Sequence, residues 1–362
     1  MIFLQNLNCR RKLLGLDIIR MLAATFVFFF HANIHIGCTF WKLTEFISQG
    51  AIFMDLFFLL SGFILCYNYF DKMRNPKDVF TFFKKRLLSI YPLYVVVMVV
   101  YTILYTELSI FKHMVIAPVE IFLMQSHFSG LFSVLHNNGT WFISSIAFSY
   151  FLFPLFILIL KNIYRYFFTL FLMYLICSLL PMVTIVFSTD SIYFSPLFRM
   201  LEFFMGMVLS ILFIKTNKTF NKSNWLPSMI AIISLLLLIF IIKLFVKFNF
   251  LNYLYYSFIS LPVFCVIIYS LSFINFKSTI IAPLSLLLNF FNRFFYAFFL
   301  SQIFAFDVFK YFNNTYNCQL NNIKRIFTSF IICLIITVFL KLLEIPVKKL
   351  MKKVVYSKCI KI

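Results

Sequence analysis

Residues 15–32 read GLDIIRMLAATFVFFFHA, an apolar stretch with Asp17 and Arg20 near one end and His31 near the other. In a helix, the step from Arg20 to His31 makes about three turns and about 16 Å of rise. The two side chains therefore share one face, separated by about half the hydrocarbon thickness of a bilayer. A charged side chain at membrane depth costs about 2.5–3.5 kcal/mol even on lenient insertion scales, so it is read first as functional. One member of the pair is a permanent cation, and the other exchanges its proton nearest neutral pH. Structural roles compete with that reading. Arg20 can snorkel from a helix end beside Asp17, and His31 can be a packed core residue.

The remainder of the 362 residues suits a membrane: 63% are hydrophobic and 12% charged, with a mean hydropathy of +0.98. That composition belongs to an all-α polytopic membrane protein and not to a soluble domain. Blocks of about ten residues with period-2 alternation are missing, which excludes an outer-membrane barrel. The first apolar stretch has no small-residue cleavage site and is expected to remain as an anchor. A net charge of +21 raises the question of nucleic acid. The bases, however, cluster in short loops between spans and no soluble module gathers them, so no nucleic-acid partner is expected. The eight cysteines are scattered without a Cys-x-x-Cys pair. They read as small buried hydrophobes, with no metal expected.

About ten transmembrane helices are expected, at 16–36, 50–70, 89–107, 141–161, 165–186, 197–215, 227–247, 255–275, 288–308 and 326–346. Residues 1–362 then form a single membrane domain with a basic tail at about 347–362. One set of loops holds most of the 32 Lys and Arg, including Arg10–Lys12, Lys72–Arg86, Lys215–Lys222 and Lys348–Lys361. The opposite loops hold Lys42, Lys112, Lys243, Lys247, Lys310, Lys324 and Arg325. Both termini are therefore expected in the cytoplasm, with short loops and one longer outer segment, 108–140. Within it MVIAPVEIFLM, residues 114–124, is too short to span and reads as interfacial or re-entrant.

The helix directions that follow put His31, Asp55, Arg199, Glu202 and Gln302 at one level in the outer half of the membrane. Polar side chains at that depth should face each other or a cavity. Arg199 and Glu202, three residues apart, also read as a plain intrahelical pair. His35, one turn beyond His31, reads as interfacial. Lys84–Arg86 is by default an orientation signal, with phosphate binding as the functional alternative.

Several segments in order resemble the membrane-bound acyltransferase type 3 family. LDIIRMLAATFVFFFHA resembles its opening Arg-x10-His motif, and GAIFMDLFFLLSGFIL, residues 50–65, its second-helix signature. FFKKRLLSIYPLY (82–94) looks like its basic loop leading into Tyr-Pro, and GTWFISSIAFSYFLFPLF (139–156) like its Trp-Ser-Leu segment. FRMLEFFMGMVL (198–209) is similar to its Arg-x-x-Glu-Phe helix, and RFFYAFFLSQIF and LEIPVKKLMKK to its last two helices. Three positions depart from the pattern: Ser89 replaces a second arginine, Ile146 a glutamate, and Gln302 a late histidine.

The resemblance implies an enzyme of the bacterial cytoplasmic (inner) membrane. It would move an acyl group, usually acetyl from acetyl-CoA, to sugar hydroxyls of O-antigen, capsule, exopolysaccharide or peptidoglycan. Some members add an extracytoplasmic domain, and none is expected here. His31 is then the base that takes the acceptor proton, unless it is itself transiently acylated. Asp55 is its orienting partner. Arg199, Gln302 or backbone N–H groups stabilise the oxyanion, and Glu202 joins the same catalytic group. The CoA phosphates fall to Lys84, Lys85 and Arg86, with Arg20 deeper on the same route and Tyr91 beside it. Trp141 and Asn138 are assigned to the acceptor. The expected partners are acyl-CoA, a glycan or lipid-linked glycan, and membrane lipids. A transporter or flippase of lipid-linked glycan is the competing class. Such proteins often carry internal repeats, and none is visible between residues 1–180 and 181–362. A polysaccharide polymerase would need a large outer loop with paired basic residues, which is missing.

Overall fold

The computed structural model describes residues 11–104, 110–128, 130, 135, 137–186, 192–216, 225–248, 253–274, 278–317 and 320–357. Among the described residues there is no strand. The helices are α1 (Leu14–Ile36), α2 (Thr44–Ile47), α3 (Phe53–Tyr69), α4 (Pro76–Leu104), α5 (Ile110–Ile121) and α6 (Trp141–Asn162). They continue as α7 (Tyr166–Val186), α8 (Pro196–Thr216), α9 (Trp225–Phe248), α10 (Tyr253–Phe273), α11 (Ser278–Thr315) and α12 (Asn322–Ser357). All but α2 and α5 run along the stretches expected to span. Among the described residues seven segments are long and apolar enough to cross a membrane by length and composition. In α7 and α10 the described apolar stretches, Tyr166–Leu179 and Ile259–Phe273, are shorter. The protein is an all-α polytopic membrane protein.

Helix ends depart from the hydropathy-based expectation where polar chemistry sets them. The expected span at 89–107 belongs to a helix that begins at Pro76. Its start is written in Asn75-Pro76-Lys77-Asp78. Asn75 Oδ1 accepts the Asp78 N–H and Asp78 Oδ2 accepts the Asn75 N–H, each at 3.1 Å, a reciprocal cap with proline at the first helical position. The basic tail expected from 347 is likewise still helical to Ser357, with Lys341 and Lys348 paired to Glu344 at 2.5 and 3.3 Å. Residues 358–362 lie outside the described residues. Hydropathy marks only the apolar part of a helix, whereas backbone hydrogen bonding carries on through residues that water can solvate.

The closest helix pair is α3 with α8. A methyl group on Gly62 would collide with the backbone carbonyl of Phe203, and one on Gly206 with that of Leu59. Small residues let two backbones approach where burial from water supplies no drive between helices. α1 ends at Gly37, whose φ of 63° suits the left-handed cap, with the Cys38 N–H bonded to Ala32 O at 3.2 Å.

The end of α5 packs part-way along α4, as a re-entrant segment would. Tyr94 Oη donates to Glu120 O at 2.8 Å and Tyr91 Oη to Ile121 O at 2.9 Å. Tyr94 lies about 15 Å of helix from the Leu104 end of α4. Side chains of α4 and α6 take up its freed carbonyls, as backbone at membrane depth requires: Ser144 Oγ donates to Leu123 O at 2.5 Å.

Candidate active site

Arg20 and His31 do share one face of α1, and that face looks at α11. The Arg20 guanidinium lies over the Phe295 ring, 5.8 Å from its centroid, and 3.9 Å from Asp17. One end further, His31 lines a cavity of about 300 Å³ with Phe299, Leu300 and Ile303 of α11. His35, Met54, Asn137, Gly139, Trp141 and Tyr193 complete most of its wall. The buried Nδ1 of His31 makes no hydrogen bond among the described residues. His35 stands 5.5 Å from His31 between ring centroids and stacks on Phe306. It thus belongs to the cavity and not merely to the interface.

Asp55, Arg199 and Glu202 come together, but not around His31. Arg199 Nη1 donates to Asp55 Oδ1 at 2.7 Å and to Glu202 Oε1 and Oε2 at 2.7 and 2.9 Å. Ser260 Oγ donates to Asp55 Oδ2 at 2.8 Å. All three charged side chains are buried, at 2%, 1% and 0% exposure. The expectation that Asp55 orients His31 is therefore corrected: its oxygens are taken by Arg199 and Ser260. Arg199 is likewise committed to two carboxylates and does not line the cavity. It acts through the wall. Arg199 Nε donates to Tyr193 O at 2.8 Å, and the guanidinium lies 4.6 Å from the Tyr193 ring and 5.8 Å from Trp141. Tyr193 in turn donates to Ala51 O at 3.2 Å. The ion cluster clamps α3, α8 and α10 behind the aromatic side of the cavity.

Gln302 is 1% exposed, and neither Oε1 nor Nε2 has a hydrogen-bond partner among the described residues. Phe298 and Phe306, one turn to either side of it, both pack on Phe28 of α1, at 6.1 and 5.2 Å. Gln302 thus faces α1 beside the turn that carries His31.

On the basic side, Arg86 turns inward. Its Nη2 donates to Tyr69 Oη at 3.3 Å, and its guanidinium lies within 6 Å of the Tyr69, Phe82 and Tyr150 rings. Lys84 lies over Phe80, 4.3 Å from its centroid, while Lys85 is exposed. Tyr91 does not join this group, because its hydroxyl is bonded to Ile121 O.

The family model for the type 3 acyltransferase domain matches residues 13–342. The chain belongs to the type 3 acyltransferase family. No curated protein and no solved structure matches it.

In this acyltransferase the assigned acceptor residues divide. Trp141 lines the cavity and packs on Tyr193 and Phe194 at 5.2 and 5.1 Å. The Asn138 side chain lies outside what is described, and its neighbour Asn137 is the asparagine in the wall. Asn137 was missed by reading the sequence, although an Asn two residues before Gly and just ahead of a helix is a recognisable turn signal. Among the described residues no group of three His, Cys, Asp or Glu is placed to hold a metal ion. Among the described residues Cys38, Cys66, Cys177, Cys265 and Cys333 form no disulfide; Cys9, Cys318 and Cys359 lie outside the described residues.

Proposed function

We propose that this acyltransferase transfers an acetyl group from cytoplasmic acetyl-CoA to a sugar hydroxyl of a bacterial surface glycan, as a single domain of the inner membrane with both termini inside. One observation carries the reading: His31 walls a cavity and stands on the same helix face as Arg20, and both look at α11. Cations at the basic end suit the phosphates of CoA. An extended pantetheine arm spans the roughly 16 Å from Arg20 to His31. The cavity is sized for the reacting ends of donor and acceptor and not for a whole nucleotide. His31 takes the acceptor proton, and the thiolate receives it as the thioester breaks.

Nuclear magnetic resonance of the cell-surface glycan with and without the gene tests the proposal. The expected result is loss of O-acetyl signals at one sugar position. Unchanged acetylation with altered glycan export would instead favour a lipid-linked glycan transporter.

A further inference from the structure

We propose that Asn137 donates a hydrogen bond from Nδ2 to the acyl carbonyl oxygen as it becomes an oxyanion. The inference rests on the acyl-transfer reading above and adds a catalytic residue to it. Asn137 is only 4% exposed, yet it lines the same cavity as His31. Its amide orientation is fixed by chemistry. Oδ1 accepts the Gly139 N–H at 2.8 Å, and only the oxygen can accept there, so Nδ2 is the other end. No hydrogen bond occupies Nδ2 among the described residues. Nδ2 is open to the cavity, where a ligand oxygen can accept from it.

The turn that carries Asn137 is held from behind. Its carbonyl accepts the Thr140 N–H at 3.1 Å and Thr140 Oγ1 at 2.6 Å. Gln125 Nε2 lies 3.1 Å from Thr140 O and 3.3 Å from Tyr94 Oη, and Tyr94 donates to Glu120 O. The re-entrant segment is thereby tied to α4 and to the start of α6, and the donor is held in place before any substrate arrives. A donor fixed in advance of charge development is the arrangement that stabilises an oxyanion well.

In the step itself, the acceptor oxygen bonds to the acyl carbon while its proton passes to His31. The carbonyl pair moves onto oxygen, where the Asn137 N–H meets it. Collapse reforms the carbonyl and breaks the C–S bond, and the departing thiolate takes the proton from His31.

The test separates donor from turn-former. Aspartate accepts the Gly139 N–H as asparagine does but has no N–H to offer. The full chain is reconstituted in lipid vesicles with a lipid-linked cell-surface glycan as acceptor, and thiol release from acetyl-CoA is followed for wild type, Asn137→Asp and Asn137→Ser. Serine also accepts from an N–H two residues on, and its O–H ends one bond short of the asparagine Nδ2, so it reads the same question if the aspartate variant does not fold. The expected result is a fall in kcat of about 10²–10³-fold, with KM for acetyl-CoA within about threefold and an unchanged thermal transition. A folded variant whose kcat stays within about threefold of wild type overturns the assignment. So does a loss that tracks a lowered thermal transition. A wild-type chain that releases no thiol instead overturns the acyl-transfer reading itself.

Discussion

Arg199 and Asp55 pair at 2.7 Å between α8 and α3, and this pair stands behind the His31 cavity instead of inside it. Breaking one partner of a buried ion pair leaves an uncompensated charge and costs about 3–5 kcal/mol. Here Glu202 shares the guanidinium at 2.7 Å, so Arg199→Met strands two carboxyl groups at once. The expected outcome is a protein that loses its monodisperse peak and thermal transition in detergent, with activity following the fold. An Arg199→Met protein of wild-type thermal stability but no turnover would move Arg199 into the chemistry.

His31 behaves differently in this account. His31→Ala should leave insertion and thermal stability near wild type while turnover falls by about 10²–10⁴-fold, the range for a lost general base. His35 lines the same cavity but stacks on Phe306, and its alanine variant should lose much less. Comparable losses for the two, measured as kcat on purified protein, would contradict the assignment of the base to His31.

Donor affinity should divide the basic residues by burial. Lys85 is exposed, so Lys85→Ala should raise KM for acyl-CoA modestly, and the difference should fade in high salt because water and ions screen it. Arg86 is half-buried among Tyr69, Phe82 and Tyr150, and Arg20 lies deeper over Phe295. Their alanine variants should raise KM more, with little salt dependence, since a desolvated charge contact is stronger than an exposed one. Titration of KM against salt for all three variants reads the order. Equal salt sensitivity would remove Arg86 and Arg20 from the donor route.

Orientation can be read from two positions. Cysteine placed at Ser357, at the end of α12, should be labelled from the cytoplasm. Cysteine placed at Ser133, outside the described residues, should be labelled from the opposite face. Labelling of both from the same side would contradict the seven crossings expected between them.

The fold was legible because its signals are local and strong. Apolar runs such as GAIFMDLFFLLSGFIL need no partner to be recognised, and Arg20 and His31 share a face through helical period alone. Helix ends were less legible because hydropathy is silent about them; Asn75 to Asp78 carried the start of α4 in capping chemistry. Which polar side chains lie buried among the helices was legible, but how they pair was not. Depth alone brought Asp55, Arg199, Glu202, His31 and Gln302 to one level, but depth does not say which way a side chain turns around its helix. Asp55 and Met54 are adjacent in sequence, yet Met54 lines the cavity and Asp55 bonds to Arg199 and Ser260. Asn137 stayed hidden because its placement depends on Thr140, Gln125 and Tyr94, which meet only once the re-entrant segment has folded.

The account stands on a donor that enters at the basic end and reacts at His31. Vesicles carrying the protein in one known orientation and a lipid-linked cell-surface glycan as acceptor, given acetyl-CoA on a single face at a time, read this as thiol release. Turnover should appear only with acetyl-CoA on the face of the two termini, and His31→Ala should abolish it. Turnover driven only from the opposite face would contradict the arrangement, even with acetyl transfer itself intact.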